Sequence, residues 1–410
     1  MTDQPLGAVP FRPVAGRRVV LGVTGSIAAY KAADLASKLT QAGALVDVIM
    51  TRGASNFVTP LIFQSITHRP VVTGLFDPEP EAGIDHVATA ERADVIVVAP
   101  ATAHAIAKMA LGLADDALTT TVLATQAPII VCPAMDGHMY ENPATQENVE
   151  RLRSRGHTIA GPARGRLASG LSGEGRLLET HELLGHIRQV LGREGDLAAR
   201  KVVVSAGGTR EAIDPVRFIG NRSSGKMGYA IAEAARDRGA ATVIVAAHNY
   251  LPGPVGVRIV PVATALEMRD AIAGECRDAD ALIMAAAVAD WRPVAEAKQK
   301  LKKGETDTWT VELTKTPDIV AEVQGERLIK VGFAAESEDL EPRARAKLAN
   351  KGLHLIAAND ITAKDGGFEA DTNRVVLLDR EGGAEELGLM SKYEVGHRIL
   401  DRVSALLGQA

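Results

Sequence analysis

The chain has 410 residues, and 46% of them are hydrophobic but only 3% aromatic. This length exceeds one ordinary domain and suits two or three, each large enough to bury a core of its own, with two as the working interpretation. The formal net charge of −5 gives no general attraction to nucleic acid or to an anionic membrane, so neither is expected as a partner and small molecules are favoured.

The N-terminus and the cysteines narrow the class of protein further. Residues 1–16 contain no apolar segment of the signal-peptide kind and are interpreted as a disordered leader. No run of the sequence approaches the roughly 18 apolar residues that span a bilayer. The two cysteines, Cys132 and Cys276, cannot build a disulfide framework or a multi-thiolate zinc site, which is typical of a cytoplasmic protein.

Apolar strands alternate with helices through the first half of the chain. Strands are predicted at "RRVVLGVTG", "ALVDVIMT", "ADVIVVAPA" and "APIIVCPAM", and helices at "TAHAIAKMALGLA" and "PATQENVERLRSRG". Another helix is predicted between the first two strands, with Ser26 as its N-cap and Gly43 as its end. This alternation predicts an α/β, doubly wound (Rossmann-like) domain with a mainly parallel sheet, in which ligands bind at the carboxyl ends of the strands.

A second doubly wound domain is predicted where this pattern starts again, near Lys201. The strand "KVVVSAGGT" is followed by "ATVIVAA", "ADALIMAAA", "RLIKVGFAA" and "LHLIAAND" as further buried strands, with a helix over 224–239. The resulting domains are 17–192 and 193–410. A polar, alternating stretch at 292–316 predicts a hairpin or flap inserted into the second sheet.

The stretch "GNRSSGKMG" raises the question of an ATPase. Gly220, Gly225 and Lys226 have the spacing of a phosphate-binding P-loop, but Met227 stands where that loop needs a Ser or Thr hydroxyl for Mg²⁺. The preceding strand also ends well before this stretch, near Ser205, whereas a P-loop lies directly between a strand and a helix. A Walker ATPase is therefore disfavoured, and a helix start that binds an anion is expected.

The first turn of the N-terminal half favours a phosphate-bearing ligand. Gly22, Gly25 and Ser26 form a tight strand-to-helix turn whose backbone N–H groups can receive a phosphate. The next strand ends at Met50 and Thr51 rather than at an acidic residue, which disfavours NAD. From this turn alone, a site for FMN and a turn that only serves packing both remain open.

Several motifs of this half occur together: "GVTGSIAAYK", "DHVATAERAD", "APATA", "PAMDGHMY" and "GRLASGLSGEGR". They resemble the flavin-dependent cysteine decarboxylases, in particular the phosphopantothenoylcysteine decarboxylase half of bifunctional coenzyme A biosynthesis proteins. The resemblance implies FMN as cofactor, loss of a carboxylate from a cysteinyl substrate, and His86 as a catalytic residue beside the flavin. It also implies FMN contacts from Gly25, Ser26, Thr51, Ala101 and Thr102.

Two residues depart from the pattern of that family. Asp136 stands where the family has an Asn that contacts the substrate carboxylate, and Ser169 stands where it has a Cys that protonates the enethiolate product. An ionised Asp136 would repel the substrate carboxylate unless burial keeps it protonated. A serine hydroxyl is a far weaker acid than a thiol, so proton return is expected to slow.

These departures leave three interpretations of the N-terminal half, namely a working variant, a slow enzyme, or a flavin-binding scaffold. The intact glycines of "GRLASGLSGEGR" and the residues around Asp136 favour the working variant. Cys132 precedes Asp136 closely and could serve as a substitute thiol. Its place at the end of an apolar strand favours buried packing instead.

The second half resembles another family over most of 201–380. The motifs "AGGTRE", "DPVRFI", "NRSSGKMG", "AAAVADWRP", "KLKK", "TPDIV", "GFAAE" and "AND" follow the order found in phosphopantothenate–cysteine ligases. In bacterial members of that family, CTP activates the carboxylate of 4'-phosphopantothenate as an acyl-cytidylate, and the cysteine amine then displaces CMP. Binding a triphosphate requires several cations and backbone donors.

This second resemblance assigns roles residue by residue. Lys300 matches the lysine that acts on the reacting phosphate, Asn221 matches the residue that polarises the acyl-cytidylate, and Arg217 is expected to bind the phosphate of that intermediate. Lys226 is interpreted either as a further phosphate ligand or as a lysine at a helix start without such a role. Mg²⁺ is expected with the triphosphate, with no ligand assigned. Contacts with CTP are implied for Met284, Ala285, Ala286, Asp290, Lys300, Pro317, Asp318, Ile319, Val320, Phe333, Lys347 and Lys351, the last two on one face of a helix.

The two halves together predict a bifunctional enzyme in which the ligase product, 4'-phosphopantothenoylcysteine, is the decarboxylase substrate. The partners are then 4'-phosphopantothenate, cysteine and CTP, with the choice between CTP and ATP left open by the residues. The resemblance implies a homo-oligomer with trimeric flavin domains and dimeric ligase domains. Two alternatives are a ligase whose flavin half is only a scaffold, and a non-enzymatic flavoprotein, which the dense ligase motifs disfavour.

Overall fold

The computed structural model describes residues 13–75, 86–170, 172–302, 308–325, 327–336, 339–360 and 369–409. Contacts divide the chain into two compact units, one ending at Leu191 and the other beginning at Gly192. Within the described ranges, no helix has both the length and the apolarity that crossing a bilayer requires.

The N-terminal unit is built on a parallel sheet. Its elements, in chain order, are β1 (Arg18–Val23), α1 (Ala29–Gln41), β2 (Leu45–Met50), α2 (Pro60–Thr67), β3 (Val71–Val72), α3 (His86–Arg92), β4 (Val95–Ala101), α4 (Ala103–Leu111), α5 (Ala117–Ala124), β5 (Ile129–Pro133), α6 (Gly137–Glu141), α7 (Pro143–Ser154), β6 (Thr158–Ile159), β7 (Ala163–Arg166), β8 (Ser172–Arg176) and α8 (Thr180–Leu191). The strand order is β3-β2-β1-β4-β5-β6, with each neighbouring pair parallel, and β7 and β8 form a separate antiparallel hairpin. The predicted doubly wound α/β fold is confirmed for this unit.

The two faces of this sheet bury different helices. Val19 and Leu21 of β1 pack with α1 and α8 on one face, whereas Val20 packs with α4, α5 and α7 on the other. Every residue of β4 is buried, because a parallel strand covered on both faces has no side towards solvent. The sheet order reverses between β1 and β4, which is where doubly wound folds bind ligands.

The first helix begins later than the sequence indicated. α1 starts at Ala29, so the prediction of Ser26 as its N-cap was wrong. The Ser26 carbonyl accepts the Ala29 amide at 2.9 Å, and the Ser26 hydroxyl accepts the Ala28 amide at 3.3 Å, so these residues form a turn. Gly43 follows the helix end at φ +87°, the left-handed conformation that glycine favours, as predicted.

The C-terminal unit contains a second, larger sheet. Its elements are β9 (Lys201–Ala206), β10 (Arg210–Ala212), β11 (Phe218–Gly220), α9 (Lys226–Arg236), β12 (Ala241–Ala246), β13 (Arg258–Pro261), α10 (Ala265–Glu275), β14 (Ala281–Met284), β15 (Trp291–Pro293), β16 (Leu313–Lys315), α11 (Ile319–Glu322), β17 (Ile329–Glu336), α12 (Leu340–Asn350), β18 (Leu355–Asp360), β19 (Thr372–Asp379), β20 (Ala384–Ser391) and α13 (Lys392–Gln409). The order is β13-β12-β9-β14-β17-β18-β19-β20, parallel as far as β18 and antiparallel beyond it. The prediction of a mainly parallel sheet is confirmed here as well.

Two short hairpins stand beside this sheet. β10 pairs with β11 between the end of β9 and the start of α9. β15 pairs with β16 antiparallel, Trp291 opposite Lys315 and Pro293 opposite Leu313, which confirms the base of the insertion predicted at 292–316. Residues 303–307 of that insertion lie outside the described residues.

Gly228 marks a close approach of α9 to β9. A Cβ at Gly228 would lie 2.6 Å from the Ala206 Cβ and 2.7 Å from the Ser205 carbonyl oxygen. We expect Gly228→Ala to lower the free energy of unfolding by about 1–3 kcal/mol, because the helix must shift away from the strand. Gly274→Ala is the matched control, since a Cβ at this exposed position of α10 meets no described atom within 4 Å. It should stabilise the unit by about 0.5–1 kcal/mol. Urea unfolding measures both effects, and equal shifts would contradict the close contact.

Candidate active sites

The N-terminal unit has a cavity at the carboxyl ends of β1 and β4, which we call the N-terminal cavity. Its volume is about 530 Å³, within the range of small-molecule sites. The predicted residues Gly25, Ser26, Thr102, Asp136 and Ser169 line this cavity. The remaining wall comes from the first turn of α1, from the segment before α6, and from the β7–β8 hairpin.

The turn between β1 and α1 leaves backbone donors available. The amides of Gly25 and Ile27 donate to no atom in the described part of the chain, and α1 has no side-chain cap. A Cβ at Gly25 would lie 2.9 Å from the Gly53 carbonyl carbon, so the close approach of the two backbones requires glycine. Free N–H groups before a helix form a binding site for phosphate, so this turn fits the phosphate of a flavin mononucleotide.

Thr102 connects the carboxyl ends of β1 and β4 through hydrogen bonds. Its Oγ1 accepts the Ala105 amide at 3.2 Å and so caps α4. Its own amide donates to the Thr24 Oγ1 at 3.0 Å, and that hydroxyl donates to the Pro100 carbonyl at 2.7 Å. These hydrogen bonds connect the ends of β1 and β4 at the wall of the cavity.

The β7–β8 hairpin, which we call the flap, covers one side of the N-terminal cavity. The Gly175 carbonyl accepts the Met135 amide at 2.9 Å, and a Cβ at Gly175 would lie 2.3 Å from the Met135 oxygen. A Cβ at Gly137 would lie 3.1 Å from the Glu174 carbonyl oxygen. The glycines of the motif thus let the flap backbone lie directly against the segment before α6.

Asp136 and Ser169, the two departures from the family pattern, contact each other. The Ser169 hydroxyl donates to the Asp136 Oδ2 at 2.7 Å, and the His138 amide donates to the Asp136 Oδ1 at 3.1 Å. These hydrogen bonds, the one from Ser169 first, hold the pKa of the Asp136 carboxyl below its usual range. The idea that burial keeps Asp136 protonated is therefore wrong, and the carboxylate is ionised at neutral pH.

Other predicted residues of this unit do not line the cavity. His86 begins α3 and is half-buried, but it lies outside the cavity wall. Ala101 is fully buried at the end of β4, and Thr51 follows β2 without reaching the cavity. Cys132 is fully buried and burial raises the pKa of its thiol, so it is a packing residue, as predicted, and no substitute acid.

Sequence reasoning missed the basic side chains of this cavity. Lys31, Arg166 and Arg176 line its wall. Lys31 pairs with the Glu179 carboxylate at 3.0 Å, and Arg176 pairs with the same carboxylate. Arg166 forms no ion pair with any described residue, so its charge is available to an anionic ligand. Both arginines belong to the motif "GRLASGLSGEGR", which was interpreted from its glycines and not from its charges.

The C-terminal unit has two adjoining cavities, of about 400 and 530 Å³, beside β14 and β17. Both are lined by Ala286, Val288, Asp290, Phe333 and Lys347, so they form one continuous site, which we call the C-terminal crevice. Further predicted residues line the smaller cavity (Met284, Pro317, Asp318, Ile319, Val320 and Lys351) or the larger one (Asn221 and Ala285).

Backbone hydrogen bonds hold the segment after β14 against the glycine turn after β9. The Ala287 amide donates to the Gly207 carbonyl at 2.8 Å, and the Ala286 amide donates to the Ser205 hydroxyl at 3.1 Å. Gly207 has φ +82°, and a Cβ there would lie 2.6 Å from the Ala247 carbonyl oxygen. The small residues of these motifs therefore let the two segments pack together and line the crevice with backbone.

Two lysines bring positive charge to the smaller cavity. The Lys347 Nζ, in the last turn of α12, donates to the Phe333 carbonyl at 2.8 Å. Lys351 is the C-cap of that helix, one residue beyond its end, and pairs with the Asp318 carboxylate at 3.1 Å. Both side chains face the same cavity, as the predicted helix spacing required, and both are partly exposed.

The start of α9 forms one side of the larger cavity. Gly225, at φ +77°, is its N-cap, and the β10–β11 hairpin separates the helix from β9, so the stretch is not a P-loop. The Lys226 Nζ donates to the Glu369 carbonyl and pairs with the Asp371 carboxylate, each at 2.7 Å. Burial first, and then the charge of Lys226, lowers the pKa of the neighbouring Lys392 to about 8.

Two predicted ligase residues lie outside the crevice. Neither Lys300 nor Arg217 lines either cavity. Lys300 is exposed in the insertion between β15 and β16. Arg217 lies beside the same insertion, with its guanidinium 4.5 Å from the centre of the Trp309 ring. By contrast, Asn221 is placed in the crevice by a hydrogen bond from its Nδ2 to the Val288 carbonyl at 2.9 Å.

Comparisons with known proteins cover both halves of the chain. Residues 11–192 match the family model described as "Flavoprotein", and residues 197–407 match the model described as "DNA/pantothenate metabolism flavoprotein C-terminal domain". The chain is similar to the coenzyme A biosynthesis bifunctional protein CoaBC of Vibrio vulnificus, with 46% identity over 402 residues, 97% of this chain and 100% of the relative. It is also similar to the CoaBC protein of Bacillus subtilis, with 45% identity over 399 residues, 96% of this chain and 98% of the relative. A solved structure of the C-terminal domain of a CoaBC protein is 35% identical, covers 53% of this chain and 100% of that chain, and has a TM-score of 0.46.

The extent of these matches shows to which family the chain belongs. Both relatives are matched over nearly their whole length, across the flavoprotein domain and the C-terminal domain together. The chain therefore belongs to the family of bifunctional coenzyme A biosynthesis proteins, CoaBC.

Proposed function

We propose that this chain carries out two consecutive steps of coenzyme A synthesis in the cytoplasm. The C-terminal unit joins 4'-phosphopantothenate to cysteine at the expense of CTP. The N-terminal unit, with FMN bound, then decarboxylates 4'-phosphopantothenoylcysteine to 4'-phosphopantetheine. The observation that carries the proposal is the C-terminal crevice, where residues from five separate ligase motifs line one continuous site at the carboxyl edge of the sheet.

The crevice has several of the groups that activation of a carboxylate requires. In the first step, a carboxylate oxygen of 4'-phosphopantothenate attacks the α-phosphorus of CTP, and pyrophosphate leaves. Lys347 and Lys351 supply positive charge for the triphosphate. Their orientation is fixed beforehand by the Phe333 carbonyl and the Asp318 carboxylate.

The second ligase step forms the amide. The cysteine amine attacks the acyl carbonyl of the cytidylate, CMP leaves with the bonding electron pair, and the amine loses its proton. Asn221, fixed by its hydrogen bond to Val288, polarises that carbonyl. Lys300 acts on the reacting phosphate, and Arg217 binds the phosphate of the intermediate.

Magnesium enters with the nucleotide in this proposal. Among the residues that the structure describes, no cluster of three or more His, Cys, Asp or Glu side chains is close enough to hold a metal ion. Mg²⁺ commonly binds through one or two carboxylates together with substrate phosphates and water. Asp290, exposed on the wall shared by both cavities, is the carboxylate we propose for this contact.

The N-terminal cavity fits the decarboxylation step. When bound, FMN supplies the oxidising power that lets the substrate carboxylate leave, and it returns the electrons afterwards. The Gly25 and Ile27 amides would hold its phosphate. Arg166 attracts the anionic substrate under the flap and offsets the repulsion between the ionised Asp136 and the substrate carboxylate. The Ser169 hydroxyl, which lines the same cavity, is the group that we propose returns the proton to the product.

We also propose that each site is completed by another copy of the chain. His86 does not line the N-terminal cavity of its own chain, and Lys300 and Arg217 do not line its C-terminal crevice. A trimer of flavin domains and a dimer of ligase domains, as the family resemblance implies, would supply these residues from neighbouring subunits.

Ser169→Cys is expected to speed the return of the proton to the product. The Ser169 hydroxyl donates to Asp136, and a thiol in its place is a far stronger acid, so the rate of 4'-phosphopantetheine formation in a single turnover should rise about tenfold. Ser172→Cys places a thiol on the same flap outside the cavity wall and is the matched control. An unchanged rate in Ser169→Cys would show that another group returns the proton.

Pyrophosphate release tests the ligase half directly. We expect release only when CTP and 4'-phosphopantothenate are both present, with cysteine required for repeated turnover. ATP in place of CTP at an equal rate would contradict the nucleotide assignment. No release from any combination would contradict the ligase function and would favour the alternative of a non-enzymatic flavoprotein.

A further inference from the structure

Asp214 is a buried carboxylate at the tip of the β10–β11 hairpin. It is only 2% exposed. Its Oδ1 accepts the amides of Val216 and Arg217, each at 2.9 Å. Its Oδ2 accepts the Arg217 Nε at 3.0 Å, the Arg217 Nη2 at 2.5 Å and the Leu301 amide at 3.2 Å. A carboxylate offers roughly four lone-pair sites, so this one is fully used by its surroundings.

These donors come from two segments that are far apart in the sequence. Arg217 belongs to the hairpin tip, whereas Leu301 follows Lys300 in the insertion between β15 and β16. The Arg217 Nη2 also donates to the Leu301 carbonyl at 2.9 Å, and the guanidinium packs against the Trp309 ring. Asp214 therefore binds both the hairpin tip and the insertion between β15 and β16. We call this contact the junction, and Arg217 bridges its two sides.

Around Lys300, few other contacts fix the described part of the insertion. Its residues from 298 to 302 are exposed, so burial of apolar surface contributes little to their order. The Ala297 amide donates to the Ile213 carbonyl at 3.0 Å, which adds a contact with the residue next to Asp214. Within the described residues, the position of Lys300 is thus set mainly by the junction at Asp214.

We propose that Asp214 is a positioning residue for the ligase reaction. By binding Arg217 and the Leu301 backbone at once, it holds Arg217 and Lys300 as one rigid cationic unit that acts on the phosphate of the reacting nucleotide. Asp214 does not contact the substrate and acts only through these two residues. The inference rests on the proposed function of Lys300 and Arg217.

Asp214→Asn tests the inference with little change in volume. The asparagine oxygen still accepts the two loop amides, but the negative charge that holds Arg217 is lost. A misplacement of about 1 Å can lower a rate on the order of 100-fold, so we expect a loss of that size in kcat for pyrophosphate release. The KM for CTP should stay unchanged, because the crevice residues that bind the nucleotide are not touched.

A matched control separates positioning from stability. Asp237 is another buried carboxylate of the unit, and it accepts hydrogen bonds from Arg236 at 2.7 Å and from the Tyr393 hydroxyl at 2.7 Å. We expect both Asp237→Asn and Asp214→Asn to lower the Tm, but Asp237→Asn should leave kcat at its parent value below the unfolding transition. Equal kcat losses in the two variants would mean a merely structural role and would overturn the inference.

Tryptophan fluorescence reports on the junction without any enzyme activity. The chain has two tryptophans, so Trp291→Phe leaves Trp309 as the only reporter. In that background, Asp214→Asn should increase acrylamide quenching of Trp309, because the guanidinium no longer covers the ring, whereas Asp237→Asn should not. Parent-like quenching in Asp214→Asn would overturn the inference.

Lys300→Gln distinguishes the inference from the function on which it rests. This variant should lose kcat while Trp309 quenching stays at the parent level, because the junction is intact. A parent-like kcat in Lys300→Gln would overturn the catalytic role of Lys300. A parent-like kcat in Asp214→Asn, with Lys300→Gln inactive, would overturn only the positioning role of Asp214.

Discussion

Lys300→Gln is expected to lower kcat for pyrophosphate release by roughly 100- to 1,000-fold, the usual effect of removing one charge that stabilises a transition state. Negative charge builds up on the leaving pyrophosphate while the carboxylate oxygen bonds to the α-phosphorus, and Lys300 is the proposed cation at that point. The KM for CTP should change little, since Lys347, Lys351 and Phe333 still line the crevice. Steady-state pyrophosphate release at several CTP concentrations measures both constants.

Lys302 provides the control for this variant. It lies two positions after Lys300 in the same "KLKK" stretch and is exposed, so Lys302→Gln removes the same charge from the same segment. We expect parent-like kcat and KM from it, because the proposed contact with the reacting phosphate is made by Lys300 and no such contact is proposed for Lys302. If both variants lost kcat equally, a general basic patch rather than one positioned lysine would explain the result.

His86→Gln is expected to lower the rate of decarboxylation by roughly 100-fold or more, as is usual when an acid–base residue is lost. Flavin absorbance of the purified variant should stay at the parent level, because the phosphate-binding turn at Gly25 and Ile27 is untouched. Carbon dioxide release from 4'-phosphopantothenoylcysteine measures the rate.

His104 provides the matched control for the decarboxylase half. It lies in the first turn of α4, two residues after Thr102, and is exposed. His104→Gln should release carbon dioxide at the parent rate and bind flavin normally. A parent-like rate in His86→Gln would contradict the assignment of this histidine and move the proton chemistry to another residue.

The fold could be predicted largely from local pattern. Continuous apolar strands such as β4 and β9 can be recognised without knowledge of their neighbours, because both faces of a parallel sheet are covered. The hairpin of β10 and β11 was missed because each strand has only three residues, too few for an alternating pattern to appear. The start of α1 was placed wrongly because Ser26 favours a turn as readily as a helix cap.

The candidate sites were predictable where a motif places residues near strand ends. Met284 ends β14, Asp290 follows it, and Phe333 lies in the neighbouring parallel strand β17, so the sheet brings all three to one crevice. Arg166 and Arg176 were missed because a basic residue in a glycine-rich stretch is more often solvated than part of a cavity. The hydrogen bond between Asp136 and Ser169 could not be predicted either, because no local sequence pattern indicates that the flap folds back onto α6.

The role of Asp214 could not have been predicted from the sequence for a similar reason. Its partners Arg217 and Leu301 are brought together by two hairpins that meet only in the folded unit. A buried carboxylate needs its charge satisfied, but the sequence does not say by which donors. Three-dimensional contacts alone identify the junction and its link to Lys300.

The most direct test of the central claim is the balance of products from the whole chain. Purified protein with flavin bound is supplied with CTP, Mg²⁺, 4'-phosphopantothenate and cysteine, and pyrophosphate and carbon dioxide are measured in the same reaction. The account predicts one carbon dioxide for each pyrophosphate, with 4'-phosphopantetheine as the final product. Pyrophosphate without carbon dioxide, while flavin remains bound, would contradict it and would reduce the N-terminal unit to a scaffold.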